Sequence, residues 1–305
     1  WSTAFDLDED NTFGDVLNPG AGLATPLDLT IDFKPGFELR VSGSVAGNGQ
    51  VGEDDAITAD PLDPNDNELL SAGPVSIRGT AEFALTRSTT DVDTDGNGVP
   101  NLLGAELDQV ALTVTGAVVN VNGVATLTVS GGLALARVTA AGETAARYTA
   151  LKMGDVTVSA STADASDFGL SGTLTIDGLD YNDYDDTVIG DLERLDWSTA
   201  FDLNGDGTAD VLNPGADLVT PVDLTIDYAS SLEFGVRGSI TGNKSYDPTP
   251  AALPSGDELT EVLIRAGPVT ISGRAGFALT RSTTDVDTDG LDGADLFGAT
   301  LDQVA

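Results

Sequence analysis

The chain has 305 residues, no cysteine and no histidine, and 50 acidic residues against 13 basic ones, for a formal charge of −37. Those absences exclude disulfides, thiolate nucleophiles, Cys/His zinc sites and histidine acid–base chemistry. The charge disfavours nucleic acid and anionic membrane surfaces as partners and favours cations, and no run of ~20 apolar residues could insert as a membrane helix.

Read in order, the chain repeats itself. Trp1–Leu7 recurs unchanged at Trp197–Leu203, an offset of 196. Val16–Ala21 returns from Val211 at offset 195, and Phe83–Gly96 returns as Phe277–Gly290 at offset 194. Leu107–Ala111 returns as the final Leu301–Ala305. Residues 1–196 are therefore one full repeat of about 195 residues, with a rotated start and two or more β subunits expected inside it, and 197–305 are a partial second copy. Because Trp1 opens inside a repeat, the chain reads as an internal segment of something longer. Residues 47–71 and 242–264 drift in length and sequence, as loops do.

The expected fold is all-β: long antiparallel strands in tandem β-sandwich-like units, with a β-solenoid as the alternative. Glycine is abundant, at 36 residues, and aromatic content is only 6%, which fits thin layers and tight turns. Strands are expected at 28–33, 37–45, 75–87, 110–121, 124–137, 155–161, 168–176, 222–228 and 269–281. Over 75–87, Val75, Ile77, Ala81, Phe83 and Leu85 line one face, and the other is polar. Thirteen residues make a strand of about 43 Å.

Asn122-Gly123 between two alternating runs predicts a hairpin with a two-residue turn. Val110 then faces Leu135, Leu112 faces Leu133, Val114 faces Gly131, Gly116 faces Val129, Val118 faces Leu127, and Asp108 meets Arg137 as an opposite-charge pair. The reverse face carries Thr113, Thr115, Ala117, Thr126, Thr128, Ser130 and Ala134. It is either wet, or flat enough for another sheet or chain to stack closely. Residues 144–152 read as a short helix. The acidic run 177–186, with Tyr181 and Tyr184, reads as a solvated linker.

Four loops place carboxylates at alternate positions around a glycine or a turn. They are Asp91, Asp93, Asp95 and Asn97; Asp202, Asn204, Asp206, Thr208 and Asp210; Asp285, Asp287 and Asp289; and, more loosely, Asp6, Asp8 and Asp10. Alternating acids in a tight turn aim oxygens at one centre, as a hard cation with six to eight ligands requires. These loops resemble the calcium loops of EF-hand, dockerin and thrombospondin type-3 modules over about ten residues each. They depart from the EF-hand at its twelfth position, which holds Leu102, Asn213, Leu296 or Leu17 in place of glutamate. Later acids such as Asp210, Asp292 and Asp295 are candidate substitutes.

The whole pattern looks like the giant surface proteins of bacteria and archaea, adhesin- or filament-like, with calcium-stiffened β repeats. That resemblance implies an extracellular, cell-surface segment of a stalk, fibre or filament, not an enzyme, with Ca2+ as its cofactor. Expected partners are calcium ions, further copies of itself laterally or end to end, and glycans; neither nucleic acid binding nor membrane insertion is expected. The alternative function is a carbohydrate-binding module, with Trp1, Trp197, Tyr181 and Tyr184 as stacking candidates. The equivalence of Trp1 and Trp197 favours core positions for both.

Overall fold

The computed structural model describes residues 6–7, 11, 15, 17–31, 33, 36–46, 68–72, 75–121, 125–162, 168–185, 193–242, 262–266, 269–289 and 293–305. Described strands are β1 (Phe37–Ala46), β2 (Glu68–Ala72), β3 (Val75–Val92), β4 (Leu102–Val121), β5 (Ala125–Thr139), β6 (Tyr148–Thr162) and β7 (Phe168–Tyr184). The second copy continues with β8 (Leu232–Gly242), β9 (Val262–Ala266), β10 (Val269–Ser272), β11 (Arg274–Val286) and β12 (Leu296–Val304). The fold is all-β and antiparallel. Nine strands form one open sheet in the order β1-β3-β4-β5-β6-β7-β8-β11-β12, with β2, β9 and β10 as short side pairings.

The repeat boundary does not interrupt this sheet. β7 of the first copy pairs directly with β8, the second copy's counterpart of β1. Among the described residues, the layer over the first copy's strands is not another sheet. It is the irregular segment 193–231, which opens the second copy and lies across the first copy's strands.

The small-residue side of the sheet is the buried one. Ala84, Ala105, Leu107, Ala111, Ala134, Ala136, Val138, Tyr148 and Ala150 form its floor. Leu195, Trp197, Phe201, Leu212, Leu218, Leu224, Ile226 and Tyr228 descend on it from the covering segment. Alanine on the floor brings the backbones close, and bulk comes from above, so layers interdigitate at native density. Trp197 and Phe201 pack with ring centroids 5.7 Å apart. Leu224 rests on Gly132, where an added Cβ would come within 3.1 Å of it.

Apolar side chains on the reverse face stand in rows from β1 to β8. One runs Val41, Leu85, Val110, Leu135, Leu151, Tyr181 and Phe234. That face is partly open to solvent, with Phe83 and Leu112 exposed.

Several expectations change in detail. The β4–β5 register is as expected at Val110–Leu135, Leu112–Leu133, Val114–Gly131 and Asp108–Arg137. It then shifts by one, so Ala117 opposes Val129 and Val118 opposes Thr128. The extra residue is accommodated at Gly116, whose φ of 58° suits glycine. The turn itself, Asn122-Gly123, lies outside the described residues. Asp108 meets Arg137 across the strands, but its carboxylate takes the Arg87 guanidinium in a two-pronged contact at 2.6 and 2.9 Å.

Residues 144–152 are not helical, since Tyr148–Lys152 open β6 between β5 and β7. Two flanking ladders outweigh a weak local helix preference. The acidic run from Asp177 to Tyr184 is the second half of β7, not a linker. Asp180 is held there 3.2 Å from Lys152 Nζ. Residues 28–31 and 222–228 form no strand, only single bridges, Leu17–Ile31 and Leu212–Ile226.

Candidate metal centre

Each carboxylate loop is built by the same local logic. In the β3–β4 loop, Asp93 accepts backbone N–H groups from Gly96 at 2.9 Å and Gly98 at 2.6 Å. Gly96 and Gly98 have φ of 70° and 82°, a left-handed turn that β-branched residues resist. Burial pushes the Asp93 carboxyl up, but the donations from Gly98, Asp95 and Gly96 together hold it below the usual carboxylate range. Asp91 points elsewhere, accepting the Gly104 N–H at 2.7 Å. Asn97 donates to Asp95 at 3.0 Å.

The β11–β12 loop repeats this, with one change that matters. Asn101 accepts the Thr94 N–H and O–H at 3.0 and 2.9 Å. Its counterpart Asp295 accepts the same pair from Thr288 at 2.8 and 2.7 Å. Those Thr288 donations hold the Asp295 carboxyl below its usual range. A carboxylate therefore replaces an amide, and oxygens of Asp287, Asp289 and Asp295 lie within 4.8 Å of one another on an exposed loop. Asp285 is outside that group, accepting the Gly298 N–H at 2.8 Å as Asp91 does from Gly104.

The loop 202–210 folds around two carboxylates. Asp202 accepts from Gly205, Asp206 and Gly207 at 2.7, 3.1 and 2.9 Å. Asp210 closes the loop by accepting the Leu203 N–H at 2.8 Å and the Asn204 side chain at 3.3 Å. Asp206 accepts from both the hydroxyl and the N–H of Thr208, which lowers its pKa. In the first copy, Asp6 accepts the Asn11 N–H at 3.0 Å, and Asp15 accepts from Leu7 as Asp210 does from Leu203. Asp8, Asp10 and Asp292 lie outside the described residues.

The structure thus gathers Asp287, Asp289 and Asp295 into one all-oxygen donor set. That set suits a hard cation and not a soft one. Asn101 escaped the sequence reading; its signal was the alignment with Asp295 at offset 194.

Trp197 is fully buried, donating its indole N–H to Asn182 Oδ1 at 2.9 Å, which removes it as a surface stacking platform. Trp1 lies outside the described residues. Tyr181 donates to Asp183 at 2.7 Å. A cleft of about 370 Å³ beside the covering segment, lined by Glu82, Thr115, Gly131, Asp155, Thr220 and Asp223 among others, has no cationic side chain among the described residues that line it. No family model matches the chain, and no curated protein or solved structure matches it.

Proposed function

We propose that this chain is a segment of an extracellular tandem-repeat protein, stiffened by calcium, that serves as a stalk, fibre or surface filament. The observation that carries the reading is the β7–β8 pairing, which joins successive repeats by strand ladders in one sheet. Domains strung on linkers bend at every junction, whereas a sheet shared across the junction resists bending. The opening segment of the second repeat, packed on the first, adds a second connection at the same place. Both fit a part whose work is length.

Calcium in this reading binds the loop carboxylates, foremost Asp287, Asp289 and Asp295 and then the Asp91–Asn97 and Asp202–Asp210 loops. Extracellular modules bind it with dissociation constants of about 10⁻⁴–10⁻³ M. At millimolar calcium that contributes about 0.4–1.4 kcal/mol per loop, and each ion also offsets part of the −37 charge. The test is thermal unfolding in millimolar calcium, in a chelator, and in sodium chloride of equal ionic strength. A melting temperature raised by calcium alone, and raised less in the Asp289→Asn/Asp295→Asn variant, supports the reading. Equal responses to both salts would reduce the aspartates to a solvating surface.

A further inference from the structure

The open side of the sheet is apolar over a wide field. Beside the row from Val41 to Phe234 runs a second, through Phe83, Leu112, Leu133, Met153, Leu179 and Val236. A third begins with Val45, Ala81 and Val114. Past the bulges, a fourth passes Val129, Val158, Leu174 and Ile240. None of these side chains is charged. Val41 is 44% exposed and Leu112 39%. Phe83 and its counterpart Phe277 are 38% and 37% exposed, so the exposure recurs with the repeat.

Area and charge both bear on what covers this field. Seven strands at ~4.8 Å and four rows at ~6.8 Å make about 900 Å². Two such fields face to face bury about 1,800 Å², within the range of stable protein interfaces. The row that borders them holds Arg87, Asp108, Arg137, Thr149 and Asp183. Its charges cancel, on a chain whose formal charge is −37. Two copies therefore meet here without the net repulsion that the rest of the surface imposes. Arg137 is exposed and makes no ion pair among the described residues, while Asp108 is held by Arg87.

We propose that two copies of the chain pack these open faces together, related by a two-fold axis that runs along the strands between β4 and β5. Aligned sheets pack about 10 Å apart. That axis sets the unpaired Arg137 of each copy opposite Asp108 of the other. The apolar rows pass the β7–β8 junction unbroken, so whatever covers them must carry the same period, and a second copy does. Residues 47–67 and 243–261 are rich in Asp, Gly and Pro and offer no alternating apolar run to line such a face. The contact uses the same patch on both copies and so closes at two. It goes beyond the fibre reading, pairing two repeat chains side by side, and does not depend on calcium.

Sedimentation velocity of the full chain at rising concentration tests this, in low salt and in about 1 M sodium chloride, where fixed charges are screened beyond ~3 Å. The unaltered chain should pass from the 31.1 kDa monomer to twice that mass and stop there. Leu112→Asp should stay monomeric, and Phe83→Asp repeats the test if that variant melts early. Val219→Asp, 58% exposed on the covering segment, should pair as the unaltered chain does. Arg137→Glu should pair several-fold more weakly in low salt, a loss that 1 M salt largely removes. A chain that is monomeric at every concentration in both salts overturns the pairing, as does association that survives both Leu112→Asp and Phe83→Asp or grows past two copies. An Arg137→Glu chain that pairs as tightly as the unaltered one overturns the axis between β4 and β5. A monomer that binds neutral phosphatidylcholine vesicles, and loses that binding with Leu112→Asp, would give the face to lipid and overturn the pairing too. A monomer whose melting temperature still rises with calcium would sink the pairing and leave the calcium-stiffened repeat standing.

Discussion

Asn182 shows how much of the repeat junction depends on single side chains. It is fully buried in β7, accepts the Trp197 indole N–H, and donates to the carbonyls of Leu195 at 3.0 Å and Ala229 at 3.3 Å. Asn182→Ala leaves these groups buried without partners and should cost about 1–3 kcal/mol, read as a lower denaturant midpoint. Asn182 falls in an acidic run that reads as linker from sequence, because hydrophilicity alone does not reveal a partner fifteen residues further on. The carboxylate loops were more legible, since alternating aspartates and glycine dictate the turn locally.

Acid sensitivity follows from the same loops. Asp93, Asp206 and Asp295 are held below the usual carboxylate range by donors that exist only in the folded chain. Unfolded, such carboxyls titrate near ~3.9. Their contribution is therefore intact above that value and is lost as pH falls through the lower folded pKa values. Thr288→Val removes one donor to Asp295 and should lose less stability over that acid range than the unaltered chain, measured as the difference between their pH–stability curves. Parallel curves would show that the Thr288 hydroxyl does not set the Asp295 pKa.

At the scale of the element, the strands were legible from alternation, and the register of β4 on β5 from paired glycines and valines. The shifts were not. They fall at one height, at Gly79, Gly116, Gly131 and Asp177 on β3, β4, β5 and β7. A bulge depends on its neighbours, and the sequence shows only a glycine in an apolar run. At Gly79, φ is 131° and an added Cβ would lie 2.8 Å from Ala117 Cα. Gly79→Val should destabilise by about 1–3 kcal/mol. Gly22→Ala, which meets nothing within 4 Å, should change stability by no more than about 0.5 kcal/mol.

For the whole molecule, sequence gave the period, the acidity and the all-β class, but not which side of the sheet is covered. Alternation marks a polar side and an apolar side, and the expectation is that the apolar side is inside. Here the alanine- and threonine-bearing side is covered, because a segment at least 45 residues further along the chain brings the bulk. Residues 212–226 and 17–31 are nearly alike in sequence, so their opposite burial is decided wholly by what lies beneath them. Sheet continuity through the junction is likewise set by β7 meeting β8, a pairing that neither strand announces.

The most direct test of this account is equilibrium unfolding of Leu224→Ala beside Leu29→Ala in the full chain. These are equivalent residues in equivalent loops, one sealed on the preceding repeat's sheet and one in solvent. The account predicts a loss of about 2–5 kcal/mol for Leu224→Ala and no more than about 0.5 kcal/mol for Leu29→Ala. Equal losses would contradict it, because the opening segment of one repeat would then not be held by the sheet of the one before.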